Sequence, residues 1–349
     1  MSEINKEKEG KISFCPYCNS ENLKKNGTKD NKQRHLCKDC NKTFTVNTGK
    51  TKQYSKLSGK QWKGLLRGMA KNETLSVISE ETGLSVPSVW FNRQKVCAML
   101  SSTIENNDIF KDIAECDECY TVSSFKGKRD ASFFIDTLNR LPRYNRKYEE
   151  KVAYLVDNGY GYLKESDPER WNKLLDGTRL GGISNEQVCT VTCKDRSGNL
   201  LIEQTCLGRL EIQDAKEVLK SKFAPDSILV TDCLSSYQKF ARDEEIHLEQ
   251  VNSKEHKKGP FSLAHINALH SGISSHWNRL DGRTQATKYH DYGLFFYWWL
   301  EKNRNLKINE KVDVLFKLIK TTNIENITYE DIRNKPLTLN TKGFIPEYV

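Results

Sequence analysis

At 349 residues, with 37% hydrophobic and 29% charged side chains, the chain has length for two or three domains and enough apolar content for a core. The longest apolar cluster, GLFFYWWL, is far too short for a membrane-spanning helix, so no membrane partner is expected. The net charge of +9 is unevenly placed: the first hundred residues hold 19 Lys and Arg against 9 Asp and Glu, leaving the remainder near −1, the footprint of a polyanion-binding end on a neutral body.

Residues 1–10, MSEINKEKEG, read as a charged, disordered lead without a signal-peptide core. Residues 11–50 hold CPYC and CKDC, so Cys15, Cys18, Cys37 and Cys40 form the two knuckles of a tetrahedral Zn²⁺ site, a zinc ribbon. The segment is too small to fold on a core of its own, and metal binding would supply its folding free energy. Four thiolates fill the coordination sphere and leave His35 outside it. The paired cysteine spacing points to a reducing cytosol and away from a disulfide scaffold. A basic linker, 51–56, leads to a helical segment over 57–105. Trp62, Leu65, Leu66 and Met69 recur at helical spacing. Thr74 caps a short helix, Gly83 suits a turn, and Ser85 caps a further helix with Pro87 in its first turn. This is a helix-turn-helix pattern whose second helix would present Ser88, Asn92, Arg93 and Lys95 to a DNA major groove.

From 110 to 305 strands and helices mix. Ile113 to Val122 is strand-like and carries Asp117; Glu118 should point to the opposite face as a structural residue. Residues 127–182 read as an insertion or extended loop with helical pieces. EQVCTVTCKDRSGNLLIEQTCLG gives two strands joined at Arg196–Asn199. A helix over Leu210 to Phe223 precedes a short buried strand, Ser227 to Thr231, that ends in Asp232. A carboxylate there is costly unless it meets solvent, a partner or a metal. A helix with Tyr237 and Phe240, a strand from His247 to Val251, and a helix from Leu263 to Leu280 follow. Asn267 and His270 share one face of the last. TKYHDYGLFFYWWLEKN reads as an apolar helix covering the sheet, and 306–349 as a helical tail. The order strand with Asp, hairpin, helix, strand with Asp, helix, strand, helix is that of a ribonuclease-H-like α/β domain, a mixed sheet flanked by helices. Two strand-borne aspartates and a helix-borne polar residue match what two-metal phosphoryl transfer requires.

These residues resemble bacterial insertion-sequence transposases with an N-terminal zinc ribbon, a helix-turn-helix and a DDE-type catalytic domain, the ISXO-two-like group. The resemblance runs from the ribbon to about residue 305. It rests on CPYC…CKDC, the Asp-Glu pair at 117–118 with SFKGKR after it, ISNEQVC…DRSGN, VTDCLSSY and HINALHS…TKYHDYGLFFYWWL. It implies catalytic roles for Asp117 and Asp232, with Asn267 or His270 as the third residue. It implies Mg²⁺ or Mn²⁺ held by Asp117, Asp232 and Asn267 beside the structural Zn²⁺. The reaction implied is cleavage at the element's ends followed by strand transfer to target DNA. Homo-oligomerisation on DNA, a bacterial cytoplasmic location at the nucleoid, and DNA contacts from Lys288 and Tyr289 are implied as well. Ser274 stands where the family has Lys, Cys119 where it tends to have Thr, and 127–182 is longer and less basic than usual. A decayed or domesticated zinc-ribbon DNA-binding protein is the competing class, supported by Asn267 and Ser274; a repair nuclease of the same fold is a third.

Overall fold

The N-terminal cysteines flank a small antiparallel sheet of three strands, β1 (Leu23–Lys29), β2 (Lys32–Cys37) and β3 (Thr43–Thr45). The computed structural model describes residues 12–29, 32–52, 55–142, 146–177, 182–252, 254–255, 257–279, 285–322 and 328–340; the charged lead and the terminal FIPEYV lie outside them. The ribbon's core amounts to Cys15, Cys37 and Phe44 with Ile12 and Leu23 against them. Helix α1 (Gly59–Ala70) starts at a reciprocal cap, Ser58 accepting from Gln61 N–H at 3.2 Å and Gln61 Oε1 accepting from Ser58 N–H at 3.0 Å. It buries Trp62, Leu65, Leu66 and Met69. Thr74 caps α2 (Leu75–Thr82), which ends on Gly83 at φ +67°, a left-handed conformation that a side chain would strain. Ser85 occupies the N-cap of α3 (Val86–Thr103) but makes no side-chain cap bond, contrary to expectation. Pro87 in the first turn lacks one of the N–H groups such a cap would satisfy.

The second unit is built on a five-stranded mixed sheet. Its strands are β4 (Ile113–Val122), β5 (Gln187–Asp195), β6 (Leu200–Leu207), β7 (Ile228–Thr231) and β8 (His247–Gln250), in the order β6-β5-β4-β7-β8. β6, β5 and β4 pair antiparallel, and β4, β7 and β8 parallel. Between β4 and β5 come a π-turn (Phe133–Thr137) and helices α4 (Tyr148–Asp157), α5 (Leu163–Ser166) and α6 (Pro168–Asp176). These helices share a core of Ile135, Leu155, Trp171 and Leu174, so the insertion is a helical subdomain and not an extended loop. A buried ion pair, Arg140 with Glu186, ties it to the start of β5.

Side chains alternate across a strand, and here the two faces differ in chemistry. Cys116, Cys189, Val191, Cys193 and Leu201 pack against α7 (Ile212–Leu219) and α8 (Ser235–Asp243) in the main apolar core. The small hairpin β9 (Lys257–Lys258) and β10 (Phe261–Ser262) leads into α9 (Ala264–Arg279), which with α10 (His290–Lys302) covers the other face. That face carries Glu115, Asp117, Thr121 and Thr192. The Tyr297 hydroxyl occupies the space a Cβ on Gly272 would need, which lets α10 lie close on α9.

The chain divides into two units, Met1–Glu105 with Asn305–Asn334, and Asn106–Arg304 with Lys335–Val349. Helices α11 (Ile308–Thr321) and α12 (Tyr329–Arg333) therefore belong to the N-terminal unit and do not form a separate tail. α11 packs along α1, and the rings of Phe91 and Tyr329 lie 5.4 Å apart. Among the described residues no helix is long and apolar enough to cross a membrane.

Candidate metal and acidic centres

The four predicted cysteine ligands converge. Cys15 and Cys40 Sγ lie 3.6 Å apart, Cys18 and Cys37 likewise, and all four sulfurs fall within 4.8 Å of one another. A Zn–S distance of about 2.3 Å makes the edge of a tetrahedron about 3.8 Å, so the cluster has the size of a Zn²⁺ site. A backbone N–H of Cys40 pulls the Cys37 thiol down to about 6. Four thiols this close cannot all ionise without a cation between them. Asp39, inside the second knuckle, accepts from Ser20 Oγ at 2.5 Å and Asn22 Nδ2 at 2.9 Å, clamping the two knuckles together. His35 stacks on Phe44 and stays outside the cluster.

The second centre forms where β4 and β7 run side by side. Ile113, Ala114 and Glu115 are level with Ile228, Leu229 and Val230. Asp117 lies two residues further along β4, and Asp232 directly follows the last residue of β7, close enough for its charge to act on Asp117. Burial first, then the charges of Glu118 and Asp232, push the Asp117 carboxyl up to about 7. Glu118 is raised too, by burial and then by Asp232. Its side chain lies on the α8 side near Tyr120, as alternation requires, yet its charge acts on Asp117. Glu118 Oε2 and the Tyr237 hydroxyl are both buried without a hydrogen-bond partner among the described residues. Asp232 Oδ1 accepts from Leu234 N–H at 2.9 Å, and its carbonyl accepts from Gln250 Nε2 at 2.8 Å, fixing the strand tip. Among the described residues the four cysteines are the one group of three or more His, Cys, Asp or Glu donors that draw this close together.

Helix α9 is fixed over this centre by a residue that the pattern of β4 did not single out. Glu115, 1% exposed, accepts from the N–H groups of His265 at 2.9 Å and Ile266 at 3.2 Å, and from His265 Nδ1 at 2.5 Å. The strand thus caps the helix with a carboxylate at the positive end of its dipole. About one and a half turns later His270 Nε2 meets the Thr192 hydroxyl at 2.7 Å. That hydroxyl gives its one proton to the Asp117 carbonyl at 2.8 Å, so His270 Nε2 is the donor and Nδ1 carries the lone pair. Nδ1 lies 4.0 Å from Asp117 Oδ2. Burial holds the imidazole down to about 4, so the contact is not an ion pair at neutral pH. Asn267 and Ser274 are exposed, one turn either side of His270.

The expected groove-facing residues of α3 are not on an open face. Asn92, Arg93 and Lys95 are 4%, 6% and 3% exposed, and Ser88 is half-buried. Five consecutive apolar residues, Val96 to Leu100, cover a full helical turn, and a helix apolar all round is a buried one. Asn92 donates to the Ser88 carbonyl at 2.8 Å, and burial pushes the Lys95 ammonium down to about 8. The exposed cations of this unit include Lys60, Lys63 and Arg67 on one face of α1. Tyr289 is buried as well, with the Lys288 ammonium 5.1 Å from its ring centre, so its expected contact with DNA has no accessible surface.

No family model matches the chain. Over 116 residues it is 26% identical to an uncharacterized protein in transposable element ISH50 of Halobacterium salinarum. The matched stretch covers 33% of this chain and 38% of that protein's length.

Proposed function

We propose that the chain is a transposase that binds the ends of its own mobile element and catalyses metal-dependent DNA cleavage and strand transfer at Asp117 and Asp232. The observation that carries this reading is that Asp117 on β4 feels the charge of Asp232, which follows the end of the parallel strand β7. The likeness to a protein encoded within a transposable element supports it. The strand order β6-β5-β4-β7-β8, antiparallel on one side of β4 and parallel on the other, supports the ribonuclease-H-like assignment.

The acidic centre fits hard cations. Asp117, driven toward neutrality by burial first and by the charges of Glu118 and Asp232 second, is a carboxylate that a divalent ion held with Asp232 would relieve. Asp117 and Asp232 would hold Mg²⁺ or Mn²⁺, with Asn267 as a neutral oxygen donor. Such an ion supplies Lewis acidity to a phosphodiester and lowers the pKa of an attacking water or 3′-hydroxyl. His270 stays neutral and offers the Nδ1 lone pair to a water beside Asp117. Thr192 fixes its tautomer, and Glu115 fixes the helix that carries it. In the N-terminal unit the four cysteines would hold Zn²⁺, and the basic ribbon with Lys60, Lys63 and Arg67 of α1 would engage phosphates at the element's ends.

Asp117→Ala or Asp232→Ala abolishes strand transfer on a substrate made from the DNA flanking the gene while end binding persists; joining by either variant overturns the site. A silent DNA-binding protein is the second reading. It is favoured by the absence, among the described residues, of a third His, Cys, Asp or Glu donor converging on Asp117 and Asp232. An inactive wild type that still binds element ends selects it.

A further inference from the structure

We propose that the cleft between the end of β4 and the inserted helices carries the phosphodiester backbone of a DNA strand on its way to Asp117 and Asp232. This rests on the transposase reading and adds to it a substrate path that the helix-turn-helix and ribbon do not provide. The cleft encloses about 1240 Å³. That exceeds the roughly 300–1,000 Å³ of a small-molecule site, so a polymer fits it better. Among the described residues its lining contains five Lys and Arg and no Asp or Glu. Arg140 is committed to Glu186, and Lys128 lies 3.6 Å from Asp130. Lys126 and Arg129 stand exposed at the mouth. The Arg146 guanidinium lies 4.2 Å over the Tyr154 ring, a flat cationic surface suited to a phosphate or a base.

The cations are held on an anchored loop. Ser124 N–H donates to Thr287 Oγ1 at 2.6 Å, and Thr287 N–H returns a bond to the Ser124 carbonyl at 2.7 Å. Phe125 packs edge-on against Phe133 at 4.8 Å. A loop already ordered before binding loses little further entropy on binding. The path length also agrees. Val122 lines the cleft and lies five residues beyond Asp117 on β4, about 17 Å at the rise of a strand. A DNA strand rises about 3.4 Å per nucleotide, so the cleft meets the phosphate about five nucleotides from the bond being cut.

The test uses the full chain and a 30-base-pair duplex ending at the element's terminus. Lys126→Gln with Arg129→Gln reduces the slope of log K against log salt by about 2, since each lost phosphate contact contributes about 0.9. Strand transfer falls about tenfold or more, with the melting temperature unchanged. Equal slopes and equal joining overturn the proposal. A second measurement leaves the protein intact: a neutral methylphosphonate placed about five nucleotides from the cleaved bond weakens binding, and an indifferent series from three to seven nucleotides overturns it. If the wild type joins no DNA yet shows the cleft-dependent slope, the transposase reading fails and the cleft stands. If an RNA duplex of the same sequence binds tighter with the same slope loss, the assignment to DNA is overturned.

Discussion

Asp117→Asn separates the cost of the acidic centre from its use. In the folded chain the carboxyl is raised from 3.8 to about 7, by burial first and by its acidic neighbours second, and its side chain is 20% exposed. A raised carboxyl binds its proton more tightly in the native state than in the unfolded one. Folding therefore takes up a proton between those two values, and stability falls as pH rises through that window. The penalty is absent below about pH 3.8 and fully present above about pH 7. Three pH units at about 1.4 kcal/mol each set an upper bound of roughly 4 kcal/mol. Asparagine keeps the acceptor for the Glu118 N–H but carries no charge. With EDTA present, the stability gap between variant and wild type should widen in the variant's favour by roughly 2–3 kcal/mol from pH 5 to pH 8. Urea unfolding followed by the tryptophans of the second unit, Trp171, Trp277, Trp298 and Trp299, reads it. Mg²⁺ at pH 8 should restore part of the loss in the wild type and do nothing for the variant. A gap that stays constant with pH, or grows in favour of the wild type, refutes the reading that burial and its acidic neighbours raise the Asp117 carboxyl.

Glu115→Ala removes the cap of α9 and leaves two helix N–H groups without their acceptor; the second unit should lose about 1–2 kcal/mol, and strand transfer should fall with it. Unchanged stability by urea midpoint would show that the helix is held elsewhere. Stripping zinc with a strong chelator should expose residues 12–50 to protease while the second unit stays resistant, because the ribbon's core is too small to persist alone; an unchanged digestion pattern after verified metal loss counts against a structural role. Nitrogen NMR should report neutral His270 with its proton on Nε2 down to about pH 5, and Thr192→Val should disturb that preference. An Nδ1–H tautomer in the wild type contradicts the hydrogen-bond chain from His270 through Thr192 to the Asp117 carbonyl.

What was legible in the sequence was local, and what was missed depended on partners distant in the chain. Cys15, Cys18, Cys37 and Cys40 declare themselves because each knuckle is a four-residue unit whose spacing is itself the geometry. The hairpin at Arg196–Asn199, the strand bearing Asp117 and the strand ending just before Asp232 follow from alternation and a short apolar run. Nothing near Glu115 in the sequence signals that α9, some 150 residues later, begins above it. A signal was present: Glu115 shares a face with Asp117, and a second carboxylate on the covered face of a buried strand needs a donor. The polar face assigned to α3 failed for the opposite reason. Asn92, Arg93 and Lys95 read as a recognition face in isolation, but the apolar turn from Val96 to Leu100 marks a helix buried on every side. The return of α11 and α12 to the N-terminal unit has no local signal, since amphipathic helices name a face and not a partner.

The two faces of β4 indicate which side of the sheet serves stability and which serves chemistry. Toward α7 and α8 the strand sends Ala114 and Cys116 into a dry apolar core. Toward α9 and α10 it sends Glu115, Asp117 and Thr121, with Thr190 and Thr192 alongside on β5. A fold serving stability alone would fill that face with Val and Ile, each contributing about 1.5–3 kcal/mol when fully buried. Instead Thr190 Oγ1 is buried with no partner among the described residues, and Asp117 is held where its own charge is disfavoured. Polar groups are retained at such expense where their charge is used, and perturbed carboxylates in a covered site mark functional positions more often than structural ones. The disfavoured charge, the fixed tautomer of His270 and the capped start of α9 all lie on the α9 side of β4, the strand whose far end leads into the basic cleft. A cation and a phosphodiester arriving together would satisfy both the acidic centre and the cleft, and neither would do so alone.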